Sequence, residues 1–497
     1  MMSVILLLTI SFSAQSQVKN LTFEEALSLT LQNNYGFKQS ENKTLQMEQE
    51  MKAAKGLYLP RISLSASYAF MSDNIELDLS PVRDAISPLY QALGNYGNFS
   101  GVPNPDPNTN GAMPILPDNI STQIVRGKML DGLEAVNSAE WVKTIQEKQF
   151  AMLNAGFMMP IYTGGKINAA NRAASIRFEA AELEHVQKSY ELSCELVERY
   201  FGLMLSQQAK RVREEVKGAM EKHFSDAQKL QKQGMIAEVE TLNAKVNFAD
   251  AERELKKAER QVNILNDALL NTVTIENGER IEPMTNLFYL KKVEPLDYFY
   301  ETALAKSPLL AQVNKQKELA HQGYKAEASA YLPSVAATGT YDIANKDLSP
   351  YLPDYVVGVG LNWTLFDGAA RDRKIKAARF QESQADDYFN KANADIKTAI
   401  TKYYQEMNMY LEQLQMLESA TEFTDEYFSA RNKAFAEGMA TSTQVADANL
   451  AVAKTKIEKL QAMYNYDVAL SKLLYYAGIS DQYAAYMNRA EAQHGKF

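Results

Sequence analysis

The chain has one cysteine and four histidines in 497 residues, and each scarcity closes off a class of function. Cys194 alone cannot form an intrachain disulfide, and inside a helical pattern it reads as a packed small apolar residue. His185, His223, His321 and His494 are scattered, with no i, i+4 pair and no companion cysteines, so no metal site is indicated. Thr163-Gly164-Gly165-Lys166 is a lone turn, far short of a phosphate-cradling loop. Acidic neighbours such as Glu214-Glu215 and Asp386-Asp387 fall in helical patterns and read as solvated faces. This inventory makes no enzyme and implies no cofactor. Excess positive charge is lacking too. A net charge of −9 with no basic stripe argues against nucleic acid as a partner.

Long hydrophobic runs are equally absent. Beyond the first residues nothing approaches the ~20 apolar residues of a membrane-spanning helix. The short run Val4–Ile10, followed by Ala14 and Ser16 ahead of Gln17, reads as a signal peptide over residues 1–16. The usual basic start of such a peptide is missing, and an N-terminal core segment is the alternative. No cysteine stands at the cleavage point, so a lipid anchor is not supported there. An exported chain without a spanning helix is periplasmic, secreted or a β-barrel of the outer membrane.

Proline is the last scarcity, and it points to what the chain does contain. None of the fifteen prolines lies between Ile161 and Glu282 or after Pro353. Lys166–Gln233 is predicted as one helix, roughly 100 Å long at ~1.5 Å per residue, far beyond the needs of a globular domain. Gly234 ends it, and a return helix runs from about Ala237 to Asn271. Ahead of it, helical spacing covers Leu21–Asn34, with Thr22 as N-cap, and Gly36–Tyr58, stopped at Pro60. The period then changes to two. Ile62, Leu64, Ala66, Tyr68 and Phe70 alternate with mostly polar residues, and Ala151–Ile161 forms a second strand. Between them, residues 72–147 hold seven prolines and read as a long loop with a short helix near Ile124–Val136.

The plan then repeats. Helices are predicted at Leu296–Lys306 and Pro308–Tyr331, and strands at Val335–Ile343 and Tyr355–Leu365. A second long helix covers Ala369–Glu437 and leads into another return helix. Tyr58-Leu59-Pro60 aligns with Tyr331-Leu332-Pro333 at 333 − 60 = 273, and Gly234-Met235 with Gly438-Met439 at 438 − 234 = 204. The junction Ile161-Tyr162-Thr163-Gly164 aligns with Leu365-Phe366-Asp367-Gly368 at the same 368 − 164 = 204. The chain therefore divides into a first repeat over 17–282, with β-hairpin 60–161 and helical hairpin 166–272, and a second over 283–479. The second holds β-hairpin 333–366 and helical hairpin 369–478, and a tail follows over 480–497. Junctions between strand and helix fall at Pro60, Gly164, Gly165, Pro333, Asp367 and Gly368.

Strands of about ten residues suit a tilted membrane strand, and four of them cannot close a barrel, so closure requires several copies. Three copies would give about twelve strands, with Tyr68, Phe70, Tyr341, Trp363 and Phe366 placed as interfacial aromatics. Two ordinary periplasmic hairpins are the alternative.

The order Ala26-Leu27, Asn33-Asn34, Tyr58-Leu59-Pro60, Pro160–Gly165, Leu361–Gly368 and the Gly234 and Gly438 turns resembles the TolC-like outer-membrane factor family. That resemblance covers Leu21 to about Ile479. It implies a mainly α chain with a transmembrane β-barrel portion: a homotrimer whose twelve-stranded barrel continues into a periplasmic barrel of helices, with the short helices as a collar. It implies an exit duct of a tripartite efflux pump or type I secretion system, with a periplasmic adaptor protein and an inner-membrane pump as partners and outer-membrane lipid around it. By the same resemblance, Gly234, Met235, Gly438 and Met439 mark the tips that dock the adaptor. Phe435, Gln444 and Asp447 match the pore constriction, with Glu240 and Asn243 at the corresponding places in the first hairpin. Gln444 stands where an acid is often found and Ala440 where a basic gate partner can occur, which leaves one layer of carboxylates. For Asp447 a solvated helix residue is the plain alternative. For the whole chain the alternatives are a structural or adhesive surface protein using loop 72–147, and a periplasmic coiled-coil scaffold.

Overall fold

The computed structural model describes residues 18–275, 280–346 and 353–495. The signal-peptide reading of 1–16, the connector at Glu276-Asn277-Gly278 and the loop at Pro350 lie outside these. In the first half, β1 (Val18–Leu21) leads into α1 (Phe23–Asn33), and Thr22 and Glu25 close a capping box at its start. Asn34 accepts from the backbone N–H groups of Gly36 and Phe37 and so starts α2 (Tyr35–Lys55). After Pro60 come β2 (Arg61–Phe70) and β3 (Ile75–Asp78). Then follow α3 (Ser80–Tyr96), α4 (Asp118–Ser138), β4 (Val142–Gln146) and β5 (Gln149–Tyr162). Gly165, at φ 91°, hands the chain to α5 (Lys166–Lys232), and α6 (Glu238–Val273) returns.

The second half opens with β6 (Arg280–Pro283) and β7 (Phe288–Tyr289). It continues with α7 (Leu296–Lys306), α8 (Pro308–Ala328), β8 (Ser334–Lys346) and β9 (Tyr355–Asn362). Last come α9 (Ala370–Ala436), α10 (Ser442–Ala477), α11 (Tyr483–Met487) and β10 (Gln493–His494). The halves match element by element. Helices α1 and α7 each have 11 residues and α2 and α8 each have 21, at a constant offset of 296 − 23 = 308 − 35 = 273. Helices α5 and α9 each have 67 residues and α6 and α10 each have 36, at 370 − 166 = 442 − 238 = 204.

Two readings are corrected. Residues 72–147 are not a loop with one short helix but a folded insertion, the α3/α4 helical pair on the β3/β4 ribbon. Five of its seven prolines fall in its middle, Pro103–Pro117; Pro81 sits in the first turn of α3, where the missing N–H costs nothing, and Pro88 lies inside α3. Residues 480–495 of the segment read as a C-terminal tail pack on the rest of the chain: Tyr483, Tyr486 and Met487 are buried in the core and β10 pairs antiparallel with β7. A pairing that the sequence did not indicate joins the two halves: β1 runs parallel to β6. Strands of two to four residues are too short to show a period.

The chain forms two compact units. The helical unit comprises the described residues within 18–56, 165–330 and 366–495, and the strand unit those within 57–164 and 331–365. In the helical unit the packing order is α6–α5–α10–α9. Helix α2 lies along the first part of α5, where Lys43 pairs with Glu184 at 2.7 Å, and α6 lies along the rest, where Arg199 donates to Ala268 O. Helix α8 does for α9 what α2 does for α5, with Lys317 on Asp386 at 2.8 Å. Small residues carry the close contacts, as expected from Ala169, Ala174 and Ala378, all buried. The larger buried cluster includes the middle of α5, where Phe23 stacks on Phe201 with centroids 5.5 Å apart and meets Tyr200 edge-on at 5.7 Å. The Tyr200 hydroxyl donates to Leu21 O at 2.7 Å and accepts from the N–H groups of Met284 and Thr285 at 3.0 Å.

Candidate functional site

Period-two alternation in four strands yields one sheet of order β2-β5-β8-β9. Partners in register point to the same side. Ile62 opposes Phe157, which opposes Gly339, which opposes Val357, and Leu64, Ala155, Tyr341 and Tyr355 form the next row. That side is apolar from edge to edge. The opposite side is mostly polar, with Ser63, Ser65 and Ser67 on β2, Asn154 on β5, Thr338 and Thr340 on β8 and Asn362 on β9, and Met158 and Val356 among them. Both sides are open in the single chain, with Leu64 at 65% and Val359 at 68% exposure on the apolar one. The outer edges of β2 and β9 have no strand partner among the described residues.

The helical unit also ends in two unpartnered edges. On α9, Met409, Met416 and Phe423 recur every seven residues and are exposed, and on α6 so are Val239, Leu242 and Val246. These are the outermost helices of the α6–α5–α10–α9 order, so each offers an apolar stripe where a neighbouring surface could pack.

The turns joining α5 to α6 and α9 to α10 have the same build. Gly234 at φ 72° and Gly438 at φ 76° provide the left-handed residue. Met235 N donates to Leu230 O, and Met439 N to Ala434 O, closing a Schellman turn on each helix. Met235 and Met439 stand out at 57% and 70% exposure.

Just inside the tips, the hairpins are clasped together. Nε2 of His223 on α5 lies 2.7 Å from the Ser442 hydroxyl at the start of α10. Glu240 Oε2 on α6 accepts from Ser442 N at 2.8 Å, so a side chain of the first hairpin caps a helix of the second. The Phe435 ring packs on the His223 imidazole, centroids 4.4 Å apart, over Ala227, Ala244 and Val445. Burial holds the imidazole pKa below its ordinary value, although the Asp226 and Glu240 carboxylates pull the other way.

The residues assigned to a constriction separate into three situations. Phe435 is 3% exposed and turned into the clasp, so a constriction built on its ring would need that contact to part. Gln444 is exposed, and its side chain is occupied in a capping box with Thr441: Gln444 Oε1 accepts from Thr441 N at 3.1 Å, and Thr441 Oγ1 from Gln444 N at 3.3 Å. Asp447, one turn on, is exposed beside a recess of about 340 Å³ lined by Arg213, Asp250, Arg253 and Glu254. Asn243, at the matching register of α6, is partly buried, while Glu240 belongs to the clasp. Sequence reasoning missed His223 and Ser442. They lie 219 residues apart at positions that do not correspond in the repeat, so no spacing signal links them.

The family model described as outer membrane efflux protein matches residues 143–273 and 299–478, more than half of the chain. The chain belongs to the outer membrane efflux protein family. It is accordingly an outer-membrane protein with a periplasmic extension. The alkaline protease secretion protein AprF of Pseudomonas aeruginosa is 22% identical over 309 residues, covering 59% of this chain and 63% of AprF. Among solved structures, a membrane protein from Pseudomonas aeruginosa superposes with a TM-score of 0.69 at 11% identity, over 94% of this chain and 92% of that one. The CmeC outer membrane channel of Campylobacter jejuni gives a TM-score of 0.68 at 12% identity, over 92% and 86%. At such identities the structures speak for the fold, which in this efflux family is mainly helical.

Proposed function

We propose that the chain is the outer-membrane exit duct of an efflux pump or secretion system, built as a homotrimer. The observation that carries this reading is the four-stranded sheet with one apolar face, one mostly polar face and, among the described residues, two open edges. In lipid an open edge leaves several backbone groups unsatisfied at a cost of several kcal/mol each, so β9 of one copy must pair with β2 of the next. Three copies then close about twelve strands, with the Leu64 side against lipid and the Ser65 side lining water. The edge helices support the same ring. An α9 stripe of one copy meets the α6 stripe of its neighbour, a head-to-tail contact that closes on itself.

In this reading the duct is passive, and energy comes from an inner-membrane pump reached through a periplasmic adaptor. Met235 and Met439 at the tips offer adaptable apolar contacts for that adaptor. Asp447 from three copies forms one ring of carboxylates near the entrance and favours cations. AprF carries secretion in its name, and a secreted protein is one candidate cargo for this chain.

The test is the mass of unboiled, detergent-extracted protein from an outer-membrane fraction. A species near three times the 55.7 kDa chain that conducts ions in planar bilayers is expected. A monomer, or an oligomer that does not conduct, would overturn the duct.

A further inference from the structure

Among the described residues, helix α3 has more apolar surface than its main neighbour, α4, covers. It packs closely on α4, with Gly94 against Leu130 and Tyr90 against Gly132, where a Cβ on either glycine would come within 2.8 Å of the facing side chain. Ser87 and Asn137 hydrogen-bond across the same contact at 3.0 Å. A second stripe lies beside that face. Val82, Ala85, Leu89, Ala92 and Tyr96 recur at the a/d spacing of a helix–helix seam, and all are exposed. Val82 is 46%, Leu89 58% and Tyr96 81% exposed.

The charges of the pair are divided unequally. Helix α3 holds only Arg83 and Asp84, which pair with each other at 2.8 Å, so it is neutral. Helix α4 carries Asp118, Arg126, Lys128, Asp131 and Glu134 and suits water. A neutral helix with two apolar faces is built for two neighbours, and among the described residues α4 covers one of them.

Its position indicates the other. The chain enters the sheet at Arg61 and leaves it at Tyr162, whereas the insertion springs from the opposite end, at the Phe70–Gln149 pair. Edge strand β2 runs into α3 through β3 alone. We propose that the stripe Val82–Leu89–Tyr96 packs against the same stripe of the other copies of this chain and draws the α3 helices into a constriction over the outer mouth. This rests on the shared-barrel reading, in which β2 is the strand that pairs with the next copy, so one α3 stands beside each seam around a common axis. Another copy fits the stripe better than lipid or a charged partner does. Identical neutral helices meet without like-charge repulsion, and the basic face that surface-bound helices use on anionic lipid is missing.

The experiment is oxidative cross-linking of Leu89→Cys in the full-length chain in outer-membrane vesicles. Burial pushes the Cys194 thiol up to about 11, so it stays protonated and inert under mild oxidation. Expected is a shift of the boiled, non-reduced band to the mass of a disulfide-linked pair, and no shift for Gln91→Cys on the polar face of α3. Unboiled samples of the same variants report assembly. A monomer there means that the shared barrel itself has failed. An intact oligomer without the Leu89→Cys band overturns the α3 contact and leaves the stripe to lipid or cargo. Leu89→Asp, which separates the helices without touching the barrel strands, should raise single-channel conductance, and unchanged conductance overturns the constriction.

Discussion

At the scale of single residues, the clasp at the hairpin tips is the most sharply defined feature. Ser442→Ala removes the hydroxyl that His223 Nε2 meets and leaves a buried ring nitrogen unsatisfied, a loss of about 1–3 kcal/mol. Faster native-state hydrogen exchange around Gly438–Gln444 is the expected outcome, and unchanged exchange would show that the contact is incidental. The same clasp has a pH sign. Because the folded state holds the His223 pKa below its unfolded value, its contribution is fully present above about pH 6.5 and is lost as pH falls through the unfolded and then the folded value. Protection of the tip amides, measured relative to their intrinsic exchange at each pH, should therefore fall on acidification below about pH 6.5 in the natural chain and change less in His223→Gln. Asp447 makes no part of the clasp and is exposed. Asp447→Ala should weaken cation preference in single-channel recordings with little effect on assembly, and unchanged selectivity would leave Asp447 as a solvated helix residue.

At the scale of elements, the two faces of the sheet make opposite predictions for neighbouring residues. Leu64→Arg puts a charge on the apolar side and should cost about 2–4 kcal/mol if that position lies near the bilayer midplane. Ser65→Arg, one residue on and on the other side, should be tolerated. The yield of heat-modifiable protein in the outer membrane distinguishes the two. Equal yields would mean that the faces are not divided between lipid and water. The turns follow the same logic of necessity. Gly234 and Gly438 sit at positive φ with open space around them, so alanine there costs backbone strain of ~1–2 kcal/mol rather than a clash.

At the scale of the whole molecule, both units end in surfaces that a single chain leaves bare. Met416→Glu on the α9 edge should lower the temperature at which the unboiled oligomer falls apart, because it sets a charge into an apolar seam while leaving the chain's own core intact. An unshifted temperature would mean that the α9 stripe lies outside the subunit contact. Asp467 lies in that intact core, fully buried, with its pKa pushed well up by burial and Phe288 N donating to it at 3.4 Å.

Much of this architecture was legible without coordinates, because it rests on local and periodic signals. Pro60, Pro333, Gly234 and Gly438 stop their elements through backbone chemistry that neighbours cannot override, and a constant offset of 204 reveals duplication whatever the packing. The alternating strands declared their two faces for the same reason. Tertiary structure alone decided the rest. The β1–β6 and β7–β10 pairings join short segments across hundreds of residues, Tyr483 and Tyr486 become core only because α10 and β7 lie beside them, and a turn-rich insertion turned out to fold as a helical pair. Gln444 and Phe435 matched a motif by spacing, yet spacing could not show that one caps a helix and the other packs on His223. Hydrogen bonds such as His223 to Ser442 and Glu240 to Ser442 depend on where two hairpins meet, and that meeting is set by three-dimensional packing, which no window along a chain can contain.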